Sequence, residues 1–164
     1  LFKVGILTAS DKGYVGQRED VSGKVIDEIM TSNEYEVIYY KILPDEREML
    51  SNELIKMCDD LNLDLILTTG GTGFSPRDWT PEATLDVIHR ETPGISEAMR
   101  YYSLGITPKA MLSRGVSGIR NSTLIINLPG SPKAVKENLE YILPALKHGL
   151  EILKGIASEC AAKN

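Results

Sequence analysis

At 164 residues and 18.1 kDa, with 42% hydrophobic and 25% charged residues, the chain has the size of one soluble globular domain (1–164), able to bury a core without disulfides. A formal charge of −5 and the lack of interleaved basic and aromatic residues argue against a nucleic-acid surface, and no apolar run approaches the roughly 18 residues of a membrane span. The two cysteines, Cys58 and Cys160, read as free thiols, which places the chain in a reducing cytoplasm.

Phe2 to Thr8 reads as a buried first strand ending at Ser10-Asp11-Lys12-Gly13, and a chain that opens on a core strand predicts no signal peptide. The polar stretch to Arg18 reads as a loop. Val21, Val25, Ile26, Ile29 and Met30 recur at helical spacing. Tyr35 to Leu43, rich in β-branched and aromatic residues, is a second strand closed by Pro44-Asp45. Leu50, Leu54, Met57, Cys58 and Leu61 mark an amphipathic helix, and Leu63 to Thr69 a third strand. This alternation predicts right-handed βαβ units and a largely parallel sheet covered on both faces.

Out of that third strand comes Thr68-Thr69-Gly70-Gly71-Thr72-Gly73, then Pro76-Arg77-Asp78 and Thr80-Pro81-Glu82. Glycines let a backbone approach a ligand and aim N–H groups at it, while Thr80 can cap a helix with Pro81 in its first position. A plain tight turn is the simpler reading of the glycines, but the carboxyl end of a buried strand is where open α/β sheets bind ligands. No Gly-Lys-Ser/Thr closes a Walker A loop, and the G-x-G-x-x-G spacing is missing.

Helices over Pro81 to Arg90 and Ile95 to Leu104 come next, separated by Pro93-Gly94. Val116 to Arg120 and Thr123 to Leu128 flank Asn121-Ser122, predicting an antiparallel hairpin at the sheet edge. Leu128-Pro129-Gly130-Ser131-Pro132 then repeats the pattern of strand end, glycine, cap and proline. A helix runs through Tyr141, Pro144 starts or kinks a second one to Leu153, and the residues from Ala157 read as a frayed tail.

Strand ends of a parallel sheet share one edge, so Thr8, Ser10, Asp45, Gly70 to Asp78, and Asn127 to Ser131 should face a common crevice. Two glycine-plus-helix-start elements there offer two anion cradles, suited to a substrate with two phosphorylated parts. Asp45, with Glu48 three residues on, also fits an ordinary capping box. Asp78 has less structural reason to be there, and two carboxylates beside phosphate cradles can hold Mg²⁺. His89 and His148 read as helix positions, not ligands. Arg77, Lys109, Arg114 and Lys133 could meet phosphate, Arg114 the best placed of them.

Five segments together resemble the Mog/MoaB family of molybdenum-cofactor biosynthesis: Gly5 to Asp11, Ile42 to Glu46, Thr68 to Thr84 (TTGGTGFSPRDWTPEAT), Met111 to Arg120 and Ile126 to Val135. The resemblance implies a three-layer α/β/α domain assembled as a homotrimer, with a molybdenum-insertion enzyme as a partner. It implies a reaction in which MgATP and molybdopterin give adenylylated molybdopterin and pyrophosphate. The family's two critical aspartates fall on Asp45 and Asp78, which would also hold Mg²⁺. Its ligand positions fall on Gly70, Gly71, Thr72, Gly73, Ser113, Asn127, Pro129, Gly130 and Ser131. The other reading, from MoaB-type paralogues, is a pterin-binding or scaffolding protein without catalysis.

Overall fold

The computed structural model describes residues 1–156. Cys160 and the tail from Ala157 lie outside the described residues. Strands β1 (Lys3–Ala9), β2 (Glu36–Leu43), β3 (Leu65–Thr69), β4 (Arg90–Glu91), β5 (Ser117–Arg120) and β6 (Thr123–Leu128) form one sheet in the order β2-β1-β3-β6-β5-β4. β1 pairs with β2 and β3, and β3 with β6, all parallel; β5 runs antiparallel to both β6 and β4. β3 and β6 are buried along their whole length, as strands covered on both faces must be.

The period of two along each strand sorts the core into two layers. Val4, Ile6, Leu65, Leu67, Leu124 and Ile126 pack against helices α2 (Val21–Ser32), α5 (Pro93–Leu104) and α6 (Pro132–Leu153). Leu7, Ala9, Ile66 and Ile125 face α3 (Arg47–Asp59) and α4 (Thr80–Leu85) on the other side. The result is the expected three-layer α/β/α domain. Cys58 is buried in the second layer, where desolvation pushes its thiol up to about 11, so it is a core residue and not a nucleophile. No helix among the described residues is long and apolar enough to cross a membrane.

Four elements depart from the sequence pattern. The stretch to Arg18 is not all loop: Ser10 Oγ accepts from the Gly13 N–H at 2.9 Å and starts the short helix α1 (Asp11–Tyr14). α4 stops at Leu85 because the sheet captures the chain beyond it, with the His89 N–H donating to Ile119 O at 2.8 Å and the Thr92 N–H to Ser117 O at 2.9 Å. The short β4 therefore lies outside the expected hairpin of β5 and β6, which closes that side of the sheet. α6 is one helix through Pro144, whose ring sits on the exposed face, where the Glu140 carbonyl it leaves without a helical partner can meet water.

Candidate functional site

β2 and β3 lie on opposite sides of β1, so the connections leaving β1 and β3 diverge at their carboxyl ends. That divergence opens a polar cleft of about 690 Å³. Thr8, Ser10, Asp45, Gly70, Gly71, Asp78, Gly130 and Ser131 all line it, as the convergence of strand ends predicts. Thr72, Gly73, Ser113, Asn127, Pro129 and again Ser131 line a second, more apolar chamber of about 380 Å³, walled by Met99, Ala110 and Leu112. The predicted site residues thus fall into two neighbouring chambers that share Ser131. Each volume is in the range of small-molecule pockets.

The glycine loop is shaped by what holds its carbonyls. Thr80 ties two of them: its Oγ1 donates to Gly70 O at 2.9 Å and its N–H to Gly71 O at 3.1 Å. Arg114 ties the next two, its N–H donating to Thr72 O and its Nε to Gly73 O, both at 2.8 Å. A trans peptide points its C=O and the following N–H in opposite directions. With the carbonyls pinned to the protein, the N–H groups of Gly71, Thr72 and Gly73 point away from it, and none donates to a described acceptor. Gly70 and Gly71 have φ of 86° and 70°, which only glycine adopts without strain. The loop therefore presents three N–H groups to the outside of the turn, the geometry an anion cradle needs.

Three sequence expectations are corrected here. Thr80 does not cap α4, whose N-cap is Trp79; its hydroxyl serves the loop instead. Arg114 is not available to a phosphate: besides Gly73 O, its guanidinium grips the Asp78 carbonyl at 2.8 Å and the Glu82 carboxylate at 2.6 Å. Arg77 is likewise engaged, by Asp11 at 2.7 Å and Glu46 at 3.0 Å, and holds the Asp11 carboxyl below the usual range.

Asp45 does not form a capping box either; Glu46 is the N-cap of α3 and makes no side-chain cap bond. Asp45 instead exchanges bonds with Asp11: its Oδ2 accepts from the Asp11 N–H at 3.0 Å, and its own N–H donates to Asp11 Oδ1 at 2.9 Å. This fixes the Asp45 carboxylate while leaving Oδ1 without a described donor. Asp78 Oδ2 accepts from the Ser75 N–H at 3.0 Å and lies 2.9 Å from where a Cβ on Gly73 would sit. Both carboxylates border the same loop, Asp78 at Gly73 and Asp45 at Gly71, where its Oδ1 would lie 3.3 Å from an added Cβ.

Burial first, then the charges of Asp11 and Asp78, raise the Asp45 pKa above its ordinary value, against the lowering effect of the Asp11 N–H and of Arg77. A carboxyl raised in the folded state holds its proton more tightly there than in the unfolded chain. Its ionised form therefore weakens the fold above that pKa, and the penalty is relieved as pH falls through it. Asp45→Asn should melt higher than the parent protein at pH 7 in the absence of ligand, with the gap closing in acid. Melting curves across pH check this, and an Asn variant that melts lower at neutral pH contradicts it.

At the second turn, Ser131 caps α6 by accepting from the Ala134 N–H at 3.2 Å, with Pro132 in the first turn as expected. Gly130 packs on the first turn, a Cβ there falling 3.7 Å from Gly70 Cα, so the two cradles adjoin. Asn127 is 2% exposed and its amide is committed internally: Oδ1 accepts from the Val116 N–H, and Nδ2 donates to the Thr68 and Thr84 hydroxyls at 3.0 Å. It borders the apolar chamber as a brace between β6, β3 and α4. Ser113 is half-buried there, and its Oγ makes only a long 3.4 Å contact with the Gly115 N–H.

Sequence reasoning missed Asp11, Asp20 and Ser22. Asp20 caps α2, accepting from the Gly23 N–H at 3.0 Å, and its other oxygen accepts the hydroxyls of Thr8, at 2.6 Å, and Tyr40. Asp20, directly before the first periodic apolar residue Val21, is a legible helix-start signal. Its contact with the cleft was not legible.

The chain matches, over residues 5–148, the family described as probable molybdopterin binding domain. It is similar to a molybdopterin adenylyltransferase of Helicobacter pylori, 46% identical over 164 residues that span 98% of this chain and 93% of that protein. The corresponding Escherichia coli protein is 40% identical over 157 residues, spanning 94% of this chain and 79% of its own length. Among solved structures, the molybdopterin biosynthesis enzyme MoaB of Thermus superposes with a TM-score of 0.90 at 51% identity, over 94% of this chain and 98% of that one.

Proposed function

The chain belongs to the Mog/MoaB family of molybdenum-cofactor biosynthesis proteins, and from that membership we propose that it is a molybdopterin adenylyltransferase that moves AMP from MgATP to molybdopterin. The observation that carries the reading is the meeting, at one sheet edge, of two adjoining glycine cradles with the carboxylates of Asp45 and Asp78. In the reaction an oxygen of molybdopterin bonds to the α-phosphorus of ATP while the bond from that phosphorus to the pyrophosphate oxygen breaks, the pyrophosphate leaving with the electron pair. The polar cleft takes the phosphate chain. The N–H groups of Gly71 in that cleft, and of Thr72 and Gly73 on the wall of the neighbouring chamber, are fixed before the ligand arrives and face charge that builds up in the transition state. The apolar chamber, with Met99 and Leu112 in its walls, takes a flat heterocycle, and Ser113 offers it a hydroxyl.

Magnesium enters as part of the nucleotide substrate and neutralises phosphate charge. The residues present fit it: Asp45 and Asp78 each keep a carboxylate oxygen without a described donor. Among the described residues no group of three or more His, Cys, Asp or Glu side chains is arranged to hold a metal ion by itself. Two carboxylates, completed by substrate phosphates, are the usual protein share of a Mg²⁺ site. A scaffold that only bound a pterin would have no use for this pair.

Pyrophosphate release from MgATP only when molybdopterin is present tests the reading, and release that ignores the pterin counts against it. We place the enzyme in the cytoplasm, as a homotrimer that passes its product to a molybdenum-insertion enzyme. Light scattering at micromolar concentration should give three times the chain mass. A monomer mass would rule the trimer out.

A further inference from the structure

The second cradle is held in the same way as the first, but by different residues. Thr69 Oγ1 donates to Pro129 O at 2.6 Å, and Ser22 Oγ donates to Gly130 O, also at 2.6 Å. By peptide planarity the Gly130 N–H points away from Thr69, and the Ser131 N–H points away from Ser22. Neither N–H donates to a described acceptor, and both residues line the polar cleft. Ser22 is 7% exposed and comes from α2, 108 positions earlier in the chain than the carbonyl it holds. Its own helix start is anchored independently: Asp20 is fixed by the Gly23 N–H, Thr8 and Tyr40. The hydroxyl of Ser22 therefore transmits a rigid position to a turn that is otherwise exposed at Gly130 and Ser131.

We propose that Ser22 is a positioning residue of the transferase, one that aims the Ser131 N–H at the phosphate chain of the nucleotide through its bond to the Gly130 carbonyl. This rests on the adenylyltransferase reading and adds to it a residue on an element outside both glycine turns. Ser22 borders the cleft, but its hydroxyl proton is committed to the Gly130 carbonyl, so its part is to position the turn. Thr69 has the matching role one peptide earlier, but it also belongs to β3, so Ser22 is the cleaner test. Without the Ser22 bond, the peptide between Gly130 and Ser131 is free to turn, and a donor that must be reordered on binding is worth less to the ligand.

The test compares Ser22→Ala with Ser22→Thr, which keeps a hydroxyl on the same carbon. Binding of MgATP and of inorganic pyrophosphate is titrated calorimetrically beside binding of molybdopterin, with melting temperatures and single-turnover transfer measured in parallel. Ser22→Ala should weaken both phosphate ligands roughly fivefold to tenfold, the worth of one hydrogen bond, with the pterin bound as before. Ser22→Thr should recover at least half of that loss on a logarithmic scale. Unchanged phosphate affinity in Ser22→Ala overturns the proposal. So does a loss shared equally by all three ligands together with a lowered melting temperature, the mark of a purely structural role. Failure of the Thr variant to restore affinity, in a protein that melts like the parent, overturns it too. A parent protein that binds MgATP but transfers nothing would refute the enzymatic reading and leave the Ser22 result to stand by itself.

Discussion

Asp78→Asn is expected to lower single-turnover adenylyl transfer by about a hundredfold or more, while molybdopterin affinity stays within roughly twofold. The substitution removes a charge with almost no change of shape. The Asn side-chain carbonyl can still accept the Ser75 N–H, and the Arg114 bond to residue 78 is made to its backbone carbonyl, so the loop keeps its anchors. What is lost is one of the two carboxylates placed to organise the charge around the transferring phosphoryl group. Electrostatics supplies a second signature: the Asp78 charge is one of those that raise Asp45. In the Asn variant Asp45 should titrate at lower pH, and the acid limb of whatever transfer remains should move down with it. Near-normal transfer in Asp78→Asn would remove Asp78 from the mechanism.

Gly71→Val should damage both fold and binding. A side chain here does more than block a ligand. Gly71 has φ 70°, and its added Cβ would overlap Thr80 Oγ1 and crowd Asp45 Oδ1 at 3.3 Å. A β-branched residue in the left-handed region is strained by about 1–3 kcal/mol, and the overlap adds a similar amount. The melting temperature should drop by about 10 °C, and neither MgATP nor pyrophosphate should bind measurably. Scanning calorimetry and titration read the two effects. A variant that melts like the parent would mean the loop tolerates a side chain, and that its carbonyls are less firmly pinned than Thr80 and Arg114 suggest.

Much of the fold was legible because its signals are local. Leu65-Ile66-Leu67, followed by the β-branched Thr68 and Thr69 and then glycines, is too short for a helix and sits between two helical patterns, which marks a strand covered on both faces. The start of α6 was legible for the same reason, since Ser131 and Pro132 act within one turn. The helix expected to reach Arg90 failed because β5, nearly 30 residues onward, offers Arg90 and Glu91 better backbone partners than a helix would. At the site, the glycines and the two aspartates could be picked out by residue type and position at strand ends. Roles set by distant partners could not. Arg114, the basic residue best placed in the sequence to meet phosphate, is a bolt on the glycine loop, and Asp45, which fits a capping box, is paired with Asp11 across 34 positions. Ser22 carried no signal of its own, because a serine near a helix start is ordinary and only the folded chain brings it to Gly130.

Following the label of ATP marked at the α-phosphorus, through a single turnover with molybdopterin, tests the central claim most directly. One label should pass to the pterin for each pyrophosphate released, and both yields should fall together in Asp45→Asn and Asp78→Asn. Label that stays in ATP with the pterin bound, or that appears only as free AMP, would contradict transfer and leave the cleft a binding site.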